Sequence, residues 1–158
     1  MYILLENKIL LITGAAGFIG SNLTMELIRR GSSMTIVGLD NLNDYYDVSL
    51  KEYRLCEIEK LAAEKPDVRW HFVRGDLADK SLIDGLFAQH RFDIVVNLAA
   101  QAGVRYSIDH PDVYIESNII GFYNILEACR HYPVEHLVYA SSSSVYGSNK
   151  KVPYSTED

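Results

Sequence analysis

Short apolar runs alternate with longer amphipathic segments along the chain, and this alternation predicts its secondary structure. Most of the apolar runs lack a strict apolar–polar alternation, which is typical of strands buried on both faces of a parallel sheet. Five strands are predicted, at Ile9–Thr13, Met34–Leu39, Val68–Val73, Asp93–Leu98 and His136–Ala140.

Apolar residues recur at helical spacing in the segments between these strands. Helices are predicted at Phe18–Arg30, Leu50–Glu64, Lys80–His90 and from Pro111 to about Arg130. Polar loops are predicted at 41–47 and 101–110, and residues 147–158 are polar and irregular. Alternating strands and helices favour a parallel sheet with right-handed crossovers. We therefore predict a doubly wound, Rossmann-like α/β fold for residues 1–158, with strand order 3-2-1-4-5.

The helix predicted at 111–130 has apolar residues on nearly every side. These residues are Val113, Tyr114, Ile115, Ile119, Ile120, Phe122, Tyr123, Ile125 and Leu126. A helix of this kind needs cover on both sides, and the sheet covers one side only. We expect the other side to be covered by a segment absent from this sequence or by a second copy of the chain, as in a homodimer.

The composition is that of an ordinary globular protein, with 48% hydrophobic residues, 23% charged residues and a formal net charge of −6. An acidic surface repels phosphate backbones, which argues against general nucleic-acid binding. No apolar run approaches the roughly 18 residues that cross a bilayer, and residues 1–8 lack the features of a signal peptide. We therefore expect no membrane association and a cytoplasmic location. The five histidines and two cysteines show no metal-ligand spacing, so no metal site is predicted.

Three glycines follow the first predicted strand at the spacing G-x-x-G-x-x-G, namely Gly14, Gly17 and Gly20. The first permits a tight turn, the second lets the backbone approach a pyrophosphate, and the third lets the helix pack against the strand. The first helical turn, which contains Phe18 and Ile19, offers free N–H groups and the positive end of the helix dipole to an anion. A glycine triplet alone also fits a tight turn without a ligand.

Asp40 ends the second predicted strand, 20 residues after Gly20. A dinucleotide-binding fold places here the acid that accepts hydrogen bonds from the adenosine ribose. Against a 2′-phosphate about 4 Å away, a carboxylate repels by on the order of 4 kcal/mol at an effective dielectric of 20, and less in salt. Asp40 therefore predicts NAD rather than NADP. Asp76, after the third strand, is expected either to accept from the adenine amine or to be a loop or helix-capping acid.

Five ordered motifs together resemble the extended short-chain dehydrogenase/reductase family, and within it the NAD-dependent nucleotide-sugar epimerases and dehydratases. The motifs are Gly14–Gly20, Leu39–Asn43, Asn97–Ala102, the helical set Ser117, Asn118, Gly121 and Asn124, and Ser141–Gly147. In that family they form, in order, the cofactor loop, the ribose loop, the segment under the cofactor, the long central helix and the active-site strand end.

The resemblance implies NAD as the cofactor. The residues it assigns to NAD binding are Gly14, Gly17, Phe18, Ile19, Gly20, Asp40, Asn41, Asn43, Asp76, Leu77, Leu98, Ala99, Ala100, Gln101 and Asn118. Ser142 matches the family's Ser/Thr that hydrogen-bonds the reacting oxygen, and Ser143, Ser144 and Arg105 are candidate substrate contacts. The residues alone leave simpler alternatives: a polar strand end for the serines, a helix-to-loop hydrogen bond for Asn118 and a solvated loop side chain for Arg105.

Residues 43–51 and 101–107 look most like those of UDP-glucuronate 4-epimerases. Dehydratases of the family usually carry Thr-Asp-Glu where this chain has Ser142–Ser144, so a 4,6-dehydratase is the less favoured alternative. The resemblance implies a UDP-sugar substrate that is transiently oxidised at C4, rotates as a keto sugar and is reduced on its opposite face. A non-catalytic dinucleotide-binding module is the alternative from a different functional class.

The catalytic base of that family comes from a Tyr-x-x-x-Lys motif that follows the serine strand, at a position beyond Asp158 here. Tyr146 and Lys150 share the spacing, but Tyr146 belongs to the Val-Tyr-Gly turn. The sequence thus predicts a truncated NAD-binding domain at 1–158, without this motif and without the family's substrate domain. We expect it to bind NAD weakly, or only its ADP-ribose half, and to have no epimerase turnover by itself.

Overall fold

The computed structural model describes residues 4–158, which form one sheet of five parallel strands. The strands are β1 Ile9–Thr13, β2 Met34–Asp40, β3 Val68–Arg74, β4 Ile94–Asn97 and β5 His136–Tyr139. Their order is β3-β2-β1-β4-β5, so the predicted Rossmann-like fold and strand order are confirmed. Residues 1–3, part of the segment examined for a signal peptide, lie outside the described residues.

Alternate residues of the central strand β1 enter two cores, one on each face of the sheet. Leu10 and Ile12 pack with residues of helices α1 (Phe18–Arg30) and α2 (Val48–Ala63). Leu11 packs with residues of helices α3 (Lys80–His90) and α6 (Phe122–His131). Both faces of β1 are buried, which is why its first four residues are an unbroken apolar run.

Helix α2 begins at Val48, slightly before the start predicted at Leu50. The start is earlier because the Asp47 side chain accepts a hydrogen bond from the Ser49 N–H at 2.9 Å and caps the helix. The buried residues of α2 are Lys51, Leu55 and Ile58, at the i, i+4, i+7 spacing of one helical face. A lysine therefore lies on the buried face of this helix.

The prediction of a loop up to residue 110 followed by one regular helix is wrong in two respects. A single turn, α4 (Tyr106–Asp109), lies in the predicted loop. After α5 (Pro111–Tyr114), which starts at the predicted proline, a π-helical segment at Ile115–Gly121 leads into α6. Such wide turns often occur at functional sites.

The π-helical segment and α6 are held against the loop that follows β3. At Gly121 an added Cβ would lie 2.6 Å from the Leu77 Cβ, so only glycine allows this approach. The Asn124 side-chain amide donates to the Leu77 carbonyl at 2.8 Å. Two adjacent turns of the helix are thereby fixed at the edge of the sheet where the strands end.

Candidate functional site

A cleft opens at the carboxyl ends of the strands, where the strand order reverses between β1 and β4. Open α/β sheets bind ligands at this switch point. The predicted cofactor residues that line the cleft are Gly14, Gly17, Asp40, Asn41, Asn43, Asp76, Leu77, Leu98, Ala99, Ala100 and Gln101. Further lining residues, which were not among those assigned to NAD binding, are Leu39, Tyr45, Tyr46, Lys51, Gly75 and Ser117.

The glycine turn brings the backbone of β1 close to the segment after β4. Gly14 has a φ of +67°, in the left-handed region that favours glycine, and an added Cβ would lie 2.9 Å from the Ala99 nitrogen. Gly20 lies beneath the turn rather than in the cleft, since an added Cβ would lie 2.9 Å from the Gly14 carbonyl carbon and closer still to its oxygen. The first and third glycines are therefore required by packing.

The N-terminus of α1 is open beside this cleft. Gly17, its N-cap residue, has no side chain to accept from the first-turn amides, whereas aspartates cap α2 and α3. Within residues 4–158, the N–H groups of Phe18 and Ile19 have no acceptor. Their side chains are 72% and 65% exposed and line no part of the cleft. Uncapped amides and the helix dipole at an unobstructed glycine turn fit a diphosphate group.

Thr13 connects this turn to the end of β4. Its buried hydroxyl donates to Asn97 Oδ1 at 2.7 Å. The same oxygen accepts from the N–H groups of Leu98 and Ala99, each at 3.1 Å. The floor of the cleft is thus cross-linked by one side chain, which fixes the backbone that the resemblance places under the cofactor.

Asp40 lies in the cleft with only 8% of its surface exposed. One carboxylate oxygen accepts from the Ala16 N–H at 3.1 Å, in the glycine turn, and the other accepts from the Leu42 N–H at 2.9 Å. Leu42 has a φ of +53°, and the Asp40 hydrogen bond stabilises this strained conformation. Each carboxylate oxygen keeps a second lone pair for a ligand hydroxyl. Asp40 therefore joins the phosphate turn to the ribose loop.

Lys51 was missed by the sequence analysis, although it lines the cleft and is 4% exposed. Its ammonium donates to the Asn43 carbonyl at 2.9 Å and to Asn43 Oδ1 at 2.7 Å, and lies 3.9 Å from an Asp40 oxygen. Burial lowers the pKa of Lys51, while the Asp40 charge acts in the opposite direction. The signal that could have found it is the helical spacing it shares with Leu55 and Ile58.

Tyr46 lies between two cations on α2. The Lys51 ammonium is 4.8 Å from the centre of its ring, and the Arg54 guanidinium is 5.6 Å from it. Arg54 also donates to the Tyr46 hydroxyl at 2.8 Å and to the Ala16 carbonyl at 3.2 Å. These contacts attach the segment that follows the ribose loop to the glycine turn.

Asp76 makes the loop contacts that were one of its two predicted roles. One oxygen accepts from the Ala78 N–H at 2.9 Å, and the other accepts from the Asn41 side-chain amide at 2.8 Å. The cap of α3 is Asp79, whose side chain accepts from the Leu82 N–H. Asp76 and Asn41 therefore hold each other in position at the adenine side expected from the fold.

Asn118 forms the helix-to-loop hydrogen bonds that were the simpler alternative for this residue. Its side chain accepts from the Gln101 N–H at 2.8 Å and donates to the Gln101 carbonyl at 2.9 Å. Asn118 does not line the cleft, but Gln101 and the neighbouring Ser117 do. The π-helical segment thereby fixes the backbone that follows β4.

The predicted catalytic and substrate residues lie at the end of β5 and in the loop after β4, outside the cleft lining. Ser142 is exposed and its hydroxyl accepts from the Ser144 N–H at 3.2 Å, which caps a 3₁₀ turn at Ser143–Tyr146. Ser143, Ser144 and Arg105 are also exposed. The cleft brings together the cofactor candidates other than Phe18, Ile19, Gly20 and Asn118, while the serines lie at the neighbouring strand end.

The Tyr146 and Lys150 pair does not reproduce a helical Tyr-x-x-x-Lys arrangement. Tyr146 lies in the 3₁₀ turn with its ring stacked on Tyr154 at 4.4 Å, and Lys150 lies in irregular backbone. In a helix a tyrosine and a lysine four residues apart lie next to each other on one face, and neither residue is helical in that way here. The assignment of Tyr146 to a turn is therefore confirmed.

Residues 4–158 contain no group of three or more His, Cys, Asp or Glu side chains arranged to hold a metal ion. None of the helices in this range has the length and apolar character needed to cross a bilayer.

Known proteins share about half of the residues of this chain over most of its length. Protein CapI of Staphylococcus aureus is 50% identical over 149 residues, which cover 94% of this chain and 42% of that protein. UDP-glucuronate 4-epimerase 2 of Arabidopsis thaliana is 48% identical over 149 residues, covering 94% of this chain and 32% of that protein. The chain therefore spans less than half the length of these relatives.

Solved structures agree with the sequence relatives. The crystal structure of UDP-glucuronic acid 4-epimerase from Bacillus cereus, in complex with UDP-glucuronic acid and NAD, has a TM-score of 0.79 and 32% identity, covering 94% of this chain and 44% of that chain. The pattern of the NAD dependent epimerase/dehydratase family matches residues 10–158. The chain belongs to this NAD-dependent epimerase/dehydratase family.

Proposed function

We propose that this chain is the NAD-binding part of a nucleotide-sugar epimerase that acts on a UDP-sugar, with UDP-glucuronate as the substrate and C4 as the epimerised centre. The observation that carries the proposal is the cleft at the β1–β4 switch point, in which an uncapped glycine turn and the Asp40 carboxylate lie side by side. The similarity to UDP-glucuronate 4-epimerases supports the choice of substrate.

Each part of the cleft has a binding task in this proposal. The amides of Phe18 and Ile19 hold the diphosphate, Asp40 accepts from the adenosine ribose, and the segment fixed by Thr13 lies under the nicotinamide half. When bound, NAD supplies a hydride acceptor and donor for the C4 carbon. In this proposal Ser142, at the carboxyl end of β5, hydrogen-bonds the sugar oxygen that loses and regains its proton.

The polypeptide of residues 1–158 is proposed to be inactive by itself. The single Tyr-x-x-x-Lys match in the sequence is Tyr146 with Lys150, and these residues lie in a turn and in irregular backbone. General acid–base catalysis contributes typically about 10²–10⁴-fold, and a tyrosine–lysine pair of this family also contacts the nicotinamide ribose. Without it, the adenosine half of the cofactor makes most of the remaining contacts.

Calorimetric titration of the 158-residue polypeptide tests this proposal. We expect ADP-ribose to bind with an affinity close to that of NAD, because the α1 amides and Asp40, which make the polar contacts in this proposal, lie on the adenosine diphosphate half. Incubation with NAD and UDP-glucuronate should give no UDP-galacturonate. Failure of both ligands to bind would contradict the cofactor assignment, and robust turnover would contradict the assignment of the missing base.

We also propose self-association through the helical stretch 115–126. Its exposed apolar residues form one strip: Ile115, Ile119, Ile120, Tyr123 and Leu126. Val138 and Tyr139 of the neighbouring edge strand β5 are exposed as well. A contiguous apolar surface of this kind marks an interaction site in soluble proteins.

Replacing Ile119 with glutamate should shift the protein toward the monomer, because a charge in an apolar interface must be desolvated. Light scattering over a concentration series measures the change. The matched control is Ile108→Glu, since Ile108 is also exposed but lies on α4. A wild-type protein that stays monomeric at high concentration, or equal effects of the two substitutions, would refute the proposed interface.

A further inference from the structure

Lys51 is a buried lysine in the cofactor cleft, and the roles assigned to the glycine turn and to Asp40 do not account for its burial. Lys51 is 4% exposed, although lysine is among the residues least often buried. It extends from the buried face of α2 into the ribose loop rather than to solvent. Burial without a role would cost stability, since an ammonium loses its hydration there.

The hydrogen bonds of Lys51 leave one donor unused. An ammonium group has three N–H donors, and two of them bind the carbonyl and the side-chain oxygen of Asn43. The Asp40 oxygen is 3.9 Å away, which is within ion-pair range but beyond a hydrogen bond. Apart from the Tyr46 ring, whose centre is 4.8 Å from the ammonium, no other acceptor for Lys51 is present among residues 4–158, and the side chain lines the cleft.

The charge of Lys51 changes the electrostatics of the ribose site. An isolated Asp40 would present one negative charge to a ribose 2′-substituent. With Lys51 at 3.9 Å, the pair presents almost no net charge. A 2′-phosphate entering beside Asp40 would then meet an attractive cation as well as a repulsive anion.

We propose that Lys51 is a cofactor-binding residue that sets specificity at the adenosine ribose. It positions Asn43 in the ribose loop, donates its third N–H to a ribose hydroxyl or 2′-phosphate, and offsets the charge of Asp40. The proposal rests on the proposed NAD-binding function. Selectivity against the 2′-phosphate is consequently weaker than an aspartate alone would give.

The test compares two probes, ADP-ribose and 2′-phospho-ADP-ribose, by calorimetry on the 158-residue protein. In the wild type we expect ADP-ribose to bind tighter by less than about a hundredfold. An uncompensated carboxylate would give about a thousandfold at an effective dielectric of 20. A wild-type ratio near a thousandfold would overturn the proposal without any variant being needed.

Lys51→Met removes the charge and keeps the length of the side chain. It should weaken ADP-ribose binding and raise the ratio of the two affinities by about tenfold, because Asp40 is then uncompensated. Lys51→Arg should keep the ratio close to that of the wild type. The matched control is Lys60→Met, on the same helix but exposed and paired with Glu57, which should leave both affinities unchanged.

The affinity ratio separates a specificity role from a purely structural one, since a general loosening of the loop weakens both probes alike. An unchanged ratio in Lys51→Met, with ADP-ribose still bound by the wild type, would overturn the role of Lys51 and leave the proposed function standing. Failure of the wild type to bind ADP-ribose would instead overturn the proposed function.

Discussion

Replacing Gly20 with alanine should lower the free energy of unfolding by about 3 kcal/mol or more. The added Cβ would lie 2.9 Å from the Gly14 carbonyl carbon and 3.0 Å from the Ala15 Cα, and closer still to the Gly14 oxygen. Overpacking of a core costs typically about 1–3 kcal/mol when side chains can adjust. Here the obstructing atoms are backbone in a turn that Thr13 and Asp40 hold from two sides, so the cost lies at the upper end.

Urea and thermal unfolding measure this effect, which corresponds to a fall in Tm of about 6–12 °C for a chain of this size. The matched control is Gly85→Ala on α3, where an added Cβ meets no heavy atom within 4 Å. That substitution should stabilise the protein by about 0.5–1 kcal/mol, since alanine favours the helix over glycine. A Gly20→Ala protein as stable as the wild type would show that the turn is not packed as described.

Replacing Asp40 with alanine should cost about 3–5 kcal/mol of stability and should abolish measurable binding of ADP-ribose. The substitution removes the acceptor of the Ala16 and Leu42 N–H groups and leaves the Lys51 ammonium buried without its counter-charge. Removal of one partner of a buried ion pair is strongly destabilising for this reason. The ribose hydroxyls also lose the acceptor that orients them.

Asp40→Asn distinguishes the two roles of this carboxylate. It keeps one acceptor oxygen, so its loss of stability should be smaller than that of the alanine variant, while the charge opposite Lys51 is gone. The remote control is Asp84→Ala, since Asp84 is half-exposed on α3 and paired with Lys80, and surface pairs contribute at most about 1 kcal/mol. Unfolding curves and ADP-ribose titrations give both quantities. Tight ADP-ribose binding by Asp40→Ala would contradict the assigned ribose contact.

The strands and their order followed from the sequence because the physics of a parallel sheet is visible in the residue pattern. The run Ile9–Ile12 is apolar throughout, since both faces of β1 are buried. Gly14 and Gly20 were predicted to allow a tight turn and close packing. In the structure both lie so close to backbone atoms that a side chain would not fit. These features depend on residues that are close together in the sequence, which is why the sequence alone could predict them.

Features set by contacts between distant segments could not be predicted in the same way. The π-helical segment at Ile115–Gly121 meets the loops after β4 and β3 through Asn118 and Gly121, and apolar periodicity contains no signal for it. Phe18 and Ile19 resemble core residues of α1 by their chemistry, yet both are exposed where the helix begins at the cleft.

The burial of Lys51 could be predicted only in part from the sequence. Its helical spacing with Leu55 and Ile58 places it on the buried face of α2. Because lysines usually face solvent, this spacing alone did not lead to a prediction that Lys51 is buried. Only the position of Asn43 and Asp40 in the folded chain explains why the ammonium is buried there.

The most direct test of the cofactor site follows the backbone amides by NMR while ADP-ribose is added to the 158-residue protein. We expect the amide signals of Phe18 and Ile19 to shift most, together with that of Leu42 beside Asp40, and the Gly85 signal on α3 to stay unchanged. Shifts confined to residues away from the glycine turn, or no shift at saturating ADP-ribose, would contradict a diphosphate held at the start of α1.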